Sequence, residues 1–175
     1  GNREMDFKLN SDDRRIIAGC APKDDRAILQ CVHIKKGLIE VANGFVLVQK
    51  PIDYDGEEGI LLAAKDLKTH KDCEQLRGVY YVKNGTSEVK AIGESTYILN
   101  TQEGKFPETS VLWPTTKPVF EIGLSKKVLE SMLASLDKGT EAVKLVFHTK
   151  NSPVEFYALD ESGTKGLIMP YKLER

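Results

Sequence analysis

The amino-acid sequence predicts an α+β protein of about three repeated βαβββ units, with the helices on one face of antiparallel sheets. Three observations carry this expectation. Amphipathic helical stretches begin near Ser11, Ala63 and Ser125, a repeat of roughly 50–60 residues. Each follows a short apolar run and precedes three short strand-like runs. Turn residues, Asn43-Gly44 and Asn84-Gly85 among them, separate those runs, and Asn-Gly between apolar stretches marks a hairpin because both residues tolerate tight-turn geometry.

The first unit opens with Met5-Asp6-Phe7-Lys8-Leu9, which alternates as a half-buried strand does. Asn10 and Ser11 offer N-cap side chains for a helix starting at Asp12 and Asp13, with Ile16, Ile17 and Cys20 as its buried stripe and Pro22 near its end. Strands are expected at 28–34, 38–42 and 45–48. The second unit starts with a strand at 59–62 and continues with a helix over 63–76, placing Leu67, His70, Cys73 and Leu76 near one face and Gly78 at its end. Strands at 79–82, 88–92 and 96–100 follow. The third unit has a strand at 119–122, a helix over 126–136 capped by Ser125, with Val128, Leu129, Met132, Leu133 and Leu136 as its stripe, and strands at 142–148, 154–159 and 167–169. One unit cannot bury its own faces; two side by side can. The expected division is therefore a complete two-unit domain over 1–114 and a half-domain over 115–175, joined by Trp113-Pro114-Thr115-Thr116-Lys117-Pro118.

Composition narrows the function. The 175 residues are 41% hydrophobic and 29% charged, with 25 Lys and Arg against 26 Asp and Glu. A formal net charge of −1 excludes nucleic-acid binding by bulk charge and leaves only local patches. No apolar run approaches the roughly 20 residues of a membrane span, and no secretory signal is recognisable, so no membrane partner is expected. Gly1 reads as an expression remnant, which leaves room for more chain upstream. Cys20, Cys31 and Cys73 form no CxxC pair; free buried thiols in a reducing cytoplasm are expected. His33, His70 and His148 are scattered, and the acidic run Asp53, Asp55, Glu57 and Glu58 reads as an exposed loop. With no nucleophile–base arrangement, phosphate loop or ligand cluster, neither catalysis nor a cofactor or metal is expected. The last ten residues, Gly166 to Arg175, stay apolar through Met169-Pro170-Tyr171. Such a tail is expected to be tied down rather than frayed.

Several segments, in order, resemble one family. Gly104-Lys105-Phe106-Pro107-Glu108-Thr109 with Val111-Leu112-Trp113-Pro114 is similar to the G-x-[FY]-P-[DE]…[VI]-x-P segment of the bacterial sliding clamp, the beta subunit of DNA polymerase III. Val41-Ala42-Asn43-Gly44-Phe45-Val46-Leu47 resembles that family's A-T-D-G-H-R-L hairpin, and Leu62-Ala63-Ala64-Lys65-Asp66-Leu67 its P-A-K/R-x-L helix start. Asn151-Ser152-Pro153-Val154 and Ile168-Met169-Pro170-Tyr171-Lys172-Leu173 resemble its S-P-x-x-I…[IV]-M-P-[MV]-R-L ending. The resemblance implies a DNA-clamp-like fold, here a middle domain joined to the second half of a last domain.

It also implies a function: a non-catalytic processivity or accessory protein of replication or repair. Double-stranded DNA would be held without sequence preference, replication or repair proteins would dock through short apolar motifs, and the chain would be a homo-oligomer. The alternative is a clamp-derived protein-interaction module that does not encircle DNA. Carried over residue by residue, a partner-peptide groove between domain and half-domain would use Phe45, Leu47, Trp113, Pro114, Asn151, Met169, Pro170, Tyr171 and Lys172; the other reading of its apolar residues is plain core. Asn43, Phe45 and Val46 stand where the family has Asp, His and Arg, which changes the hairpin's polarity. DNA-facing residues would be Arg14, Arg15, Lys65, Lys68, Lys71, Lys126 and Lys127. Asp12, Asp13, Asp66, Asp72 and Glu130 lie among them, so a solvated mixed-charge face is the competing reading.

Overall fold

The computed structural model describes residues 1–173. It is a mixed α+β fold of antiparallel sheets with helices against them, in a βαβββ arrangement. The chain divides into two compact units, Gly1–Leu112 and Trp113–Arg175.

In the first unit, strand β1 (Asn2–Lys8) leads into helix α1 (Ser11–Arg14). The helix starts where the sequence indicates: Asn10 Oδ1 accepts from Asp13 N at 2.8 Å, and Asp13 Oδ2 accepts from Asn10 N at 3.0 Å, a reciprocal cap. It tightens after one turn into a 3-10 segment, Arg15–Gly19. The tightening brings the backbone close to a sheet: a Cβ on Gly19 would lie 2.7 Å from Val41 Cγ2. Residues 28–30, expected as strand, belong to a second 3-10 turn, Ala27–Gln30. Strands β2 (Cys31–Lys35), β3 (Leu38–Ala42) and β4 (Leu47–Pro51) complete the first half.

The second half begins with β5 (Ile60–Ala63) and α2 (Ala64–Thr69). Here the structure corrects the sequence reading. The helix ends at His70, and Leu76 and Gly78, expected in it and at its end, lie inside strand β6 (Gln75–Tyr81). Leu76 pairs with Phe7 on one side and Ala91 on the other, and is fully buried. Gly78 permits close packing, since a Cβ there would meet Ile60 Cδ1 at 3.3 Å. The apolar spacing 67-70-73-76 suits a helix, but burial across three strands overrides it. Strands β7 (Thr86–Ile92) and β8 (Thr96–Leu99) finish the half.

The sheet orders, β4-β3-β2-β5 and β1-β6-β7-β8, reveal a reciprocal exchange. Each half supplies three sequential strands, and its first strand crosses to the other half. β5 pairs antiparallel with β2 (Val32↔Leu62) and β1 with β6 (Phe7↔Leu76). One continuous core results, holding Leu9, Ile16, Val32, Ile39, Leu62, Leu67, Leu76 and Val89 from both halves.

The second unit contains α3 (Lys126–Ala134) and the sheet β11-β10-β9, formed by Val143–Val146 (β9), Val154–Ala158 (β10) and Lys165–Ile168 (β11). Ser125 caps the helix, its Oγ accepting from Val128 N at 3.3 Å. Residues 119–122, expected as a strand, lie in no sheet. Among the described residues the buried core of this unit is Met132, Val154, Phe156 and Ile168. No described helix is long and apolar enough to cross a membrane.

Candidate functional site

The hairpin between β3 and β4 is shaped by Asn43. Its Oδ1 accepts from Phe45 N at 2.9 Å and Val46 N at 3.0 Å, while Gly44 takes φ +90°. The side chain substitutes for a backbone turn and pushes Phe45 outward, where it is 97% exposed; Leu47 is half-buried. Trp113 is 57% exposed, and Pro114 is exposed with it.

The C-terminal segment is held at Tyr171; Glu174 and Arg175 of the expected tail lie outside the described residues. After β11, Tyr171 N donates to Gly123 O at 2.7 Å. Met169 and Tyr171 stay largely exposed, as does Lys172, while Pro170 is half-buried. Within the second unit the structure brings Tyr171 and Asn151 to one small cleft with Gly123. Met169 instead lines a shallow apolar groove with Val128, Met132, Phe156 and Leu167, between α3 and β11.

The basic residues divide into one that is structural and six on the surface. Arg14, expected to face DNA, is buried. Its guanidinium donates to three carbonyls: Leu9 O at 3.1 Å, Leu67 O at 2.7 Å and Cys73 O at 2.5 Å. It therefore links α1 to the end of α2, and burial lowers its pKa. Buried, with each of its three nitrogens donating to a backbone carbonyl, this guanidinium is not presented to a phosphate. Arg15, Lys65, Lys68, Lys71, Lys126 and Lys127 are exposed. Asp12 and Asp72 are exposed close by, and Asp13 pairs with Lys50 at 2.7 Å.

One site has no forerunner in the sequence reading. Glu40 on β3 is 1% exposed. Thr109 Oγ1 donates to its Oε1 at 2.5 Å, Gln49 Nε2 to the same oxygen at 2.9 Å, and His33 Nδ1 lies 2.7 Å from Oε2. Burial pushes the carboxyl pKa up, but Thr109, Gln49 and His33 together hold it below the usual value. His33 also stacks on buried Phe106, ring centroids 4.8 Å apart. The Gly104–Thr109 motif thus fastens its segment onto the β2-β3-β4 sheet through Phe106 and Thr109. Only the pairing of Glu40 with His33 across β2 and β3 (His33↔Glu40) would have indicated it.

The remaining polar candidates are structural. Tyr54, buried against Phe7, donates to Glu58 O at 2.9 Å and pins the acidic loop; Lys36 pairs with Asp55, and Arg3 with Glu57 and Glu58. All three cysteines are free and buried, and burial beside Cys31 pushes the Cys20 thiol up to about 12. His70 stacks on Tyr97, and His148 pairs with Glu155. Among the described residues no group of three or more His, Cys, Asp or Glu could hold a metal ion.

No family model matches the chain, and no curated protein matches it. Solved structures do. The DNA polymerase III beta chain of Streptococcus pneumoniae TIGR4 superposes with a TM-score of 0.67 at 18% identity, over 95% of this chain and 49% of that one. The DNA polymerase sliding clamp of Bacillus subtilis gives a TM-score of 0.71 at 14% identity, over 96% of this chain and 49% of that one. The fold is that of these clamps, and the chain spans about half their length.

Proposed function

We propose that this chain is a clamp-derived protein-interaction module, non-catalytic, that binds a short apolar segment of a protein partner and does not encircle DNA. The observation that carries this reading is the exposure of Phe45, Trp113, Met169 and Tyr171, large apolar side chains at positions where the clamp resemblance expects peptide contacts. Aromatic and Met side chains adapt well to peptide anchors. The proposed docking residues also include Leu47, Pro114, Asn151, Pro170 and Lys172. The domain reading, a complete clamp-type domain followed by half of another, belongs to the same proposal.

The electrostatics favour a protein partner over DNA. The net charge is −1, the exposed basic residues alternate with acids, and Arg14 is committed to backbone carbonyls. The test is fluorescence anisotropy of a labelled short peptide with Leu and Phe anchors. Met169→Ala and Tyr171→Ala should each weaken binding about tenfold, the equivalent of ~1.4 kcal/mol. Equal affinity in all three proteins would remove the reading. Binding to duplex DNA with a log–log salt slope of about −0.9 per phosphate contact would instead favour the processivity-factor reading.

A further inference from the structure

Among the described residues the second unit is a single βαβββ half, and the first unit shows how two halves complete each other. Three correspondences, counted from the helix N-caps Asn10, Ala63 and Ser125, align the halves. First, Gln102 N donates to Leu61 O at 2.9 Å in the first unit, and Tyr171 N donates to Gly123 O at 2.7 Å in the second. Leu61 and Gly123 both stand two residues before their N-caps. Second, the residue four positions after each cap is Arg14, Leu67 or Leu129, and Arg14 and Leu67 meet where the two helices of the first unit join. Third, residues 119–124 occupy the place of β1 and β5, the strands that cross between halves.

Among the described residues that crossing segment joins no sheet of the second unit; its one backbone pairing is the bridge between Gly123 and Tyr171 near its C-terminal end. Residues 119–124 read Val-Phe-Glu-Ile-Gly-Leu and alternate as a strand should. Ile122 and Leu124 pack against the core, and Phe120 lies 5.9 Å from Phe147, centroid to centroid. Val119 is fully exposed, and Glu121 is exposed. β9, the first strand after the helix, is likewise at an open edge. Its counterparts β2 and β6 are both covered by the crossing strand of the other half. An uncovered strand edge and a strand-like segment outside any sheet are complementary backbones.

We propose that the second unit completes itself with a second copy of this chain: residues 119–124 of each copy pair antiparallel with β9 of the other, and α3 packs on α3 about Leu129. The exchange is a two-fold symmetric, self-complementary contact. Two such pairings, each along the four residues of β9, form the contact together with Phe120, Phe147 and Leu129. Leu129 replaces the Arg14 link with an apolar contact, which suits identical helices, since two guanidinium groups facing each other would repel. This inference is independent of the peptide-binding proposal.

The test is light scattering of the 175-residue chain over a range of concentrations. The expected mass is twice the 19.5 kDa of one chain, dissociating on dilution. Glu121→Pro removes a backbone donor from an exposed segment outside any sheet, and should give the monomer with an unchanged circular dichroism spectrum. Phe120→Asp, on a half-exposed ring outside the buried core, should do the same. A wild-type monomer at every concentration would overturn the proposal, including the case in which another polypeptide supplies the missing half. So would dimers of undiminished affinity in both variants.

Discussion

The first unit and the second start from the same βαβββ pattern and end differently. In the first, two halves exchange their opening strands, and Leu9, Val32, Ile34, Ile39, Val41, Leu62, Leu67, Leu76, Val89 and Ala91 become essentially inaccessible. In the second, one half stands without that exchange. Val119, Leu133, Leu167 and Met169 remain more than half exposed, and the helix stripe is buried chiefly at Met132. The difference shows that the half is a unit of pattern and the exchanged pair is the unit of burial. A three-stranded sheet with one helix leaves an apolar face and a backbone edge open, and both are closed by the same crossing strand.

Core truncation tests this contrast most strongly. Leu62→Ala, at the exchanged strand, should cost about 3–4 kcal/mol, whereas Met132→Ala in the second unit should cost about 2 kcal/mol because more of its apolar neighbours are exposed. Urea unfolding of the two variants measures the gap; equal costs would erase the contrast. Next is the link between halves. Arg14→Met strands the carbonyls of Leu9, Leu67 and Cys73 and should cost about 3 kcal/mol, while Arg15→Ala on the surface should stay within about 0.5 kcal/mol. If the two matched in unfolding midpoint, Arg14 would be a surface residue after all.

The smallest effect concerns Glu40. Its folded pKa is held below the unfolded value of about 4.3, so its contribution is fully present above that value and is lost as pH falls through the folded pKa. Glu40→Gln should therefore cost about 1–2 kcal/mol at pH 7 and converge with wild type in acid. Urea midpoints at pH 7 and pH 3 check this; a constant difference would mean that Glu40 acts by packing rather than by charge.

Local signals were legible where one residue decides a local geometry. Asn10 and Ser125 cap helices as their sequence context indicates, Gly44 takes the turn conformation after Asn43, and the apolar tail is held in place. Signals failed where a neighbour distant in sequence decides. Leu76 and Gly78 fit a helix and its end by spacing alone, yet β1 and β7 claim them for a sheet. Arg14 looked like one cation among several until the turn at α1 aimed it at carbonyls more than 50 residues away.

The sequence by itself determined the α+β class, the βαβββ repeat and the exposure of most lysines, because hydrophobic period, capping and turn chemistry are short-range effects. Only the tertiary structure decided which strand crosses to which half, that Arg14 and Glu40 are buried and hydrogen-bonded, and that residues 119–122 lack a sheet partner among the described residues. Each of these depends on which backbone edges and carbonyls meet in space, and pairing across the fold leaves no periodic trace along the chain.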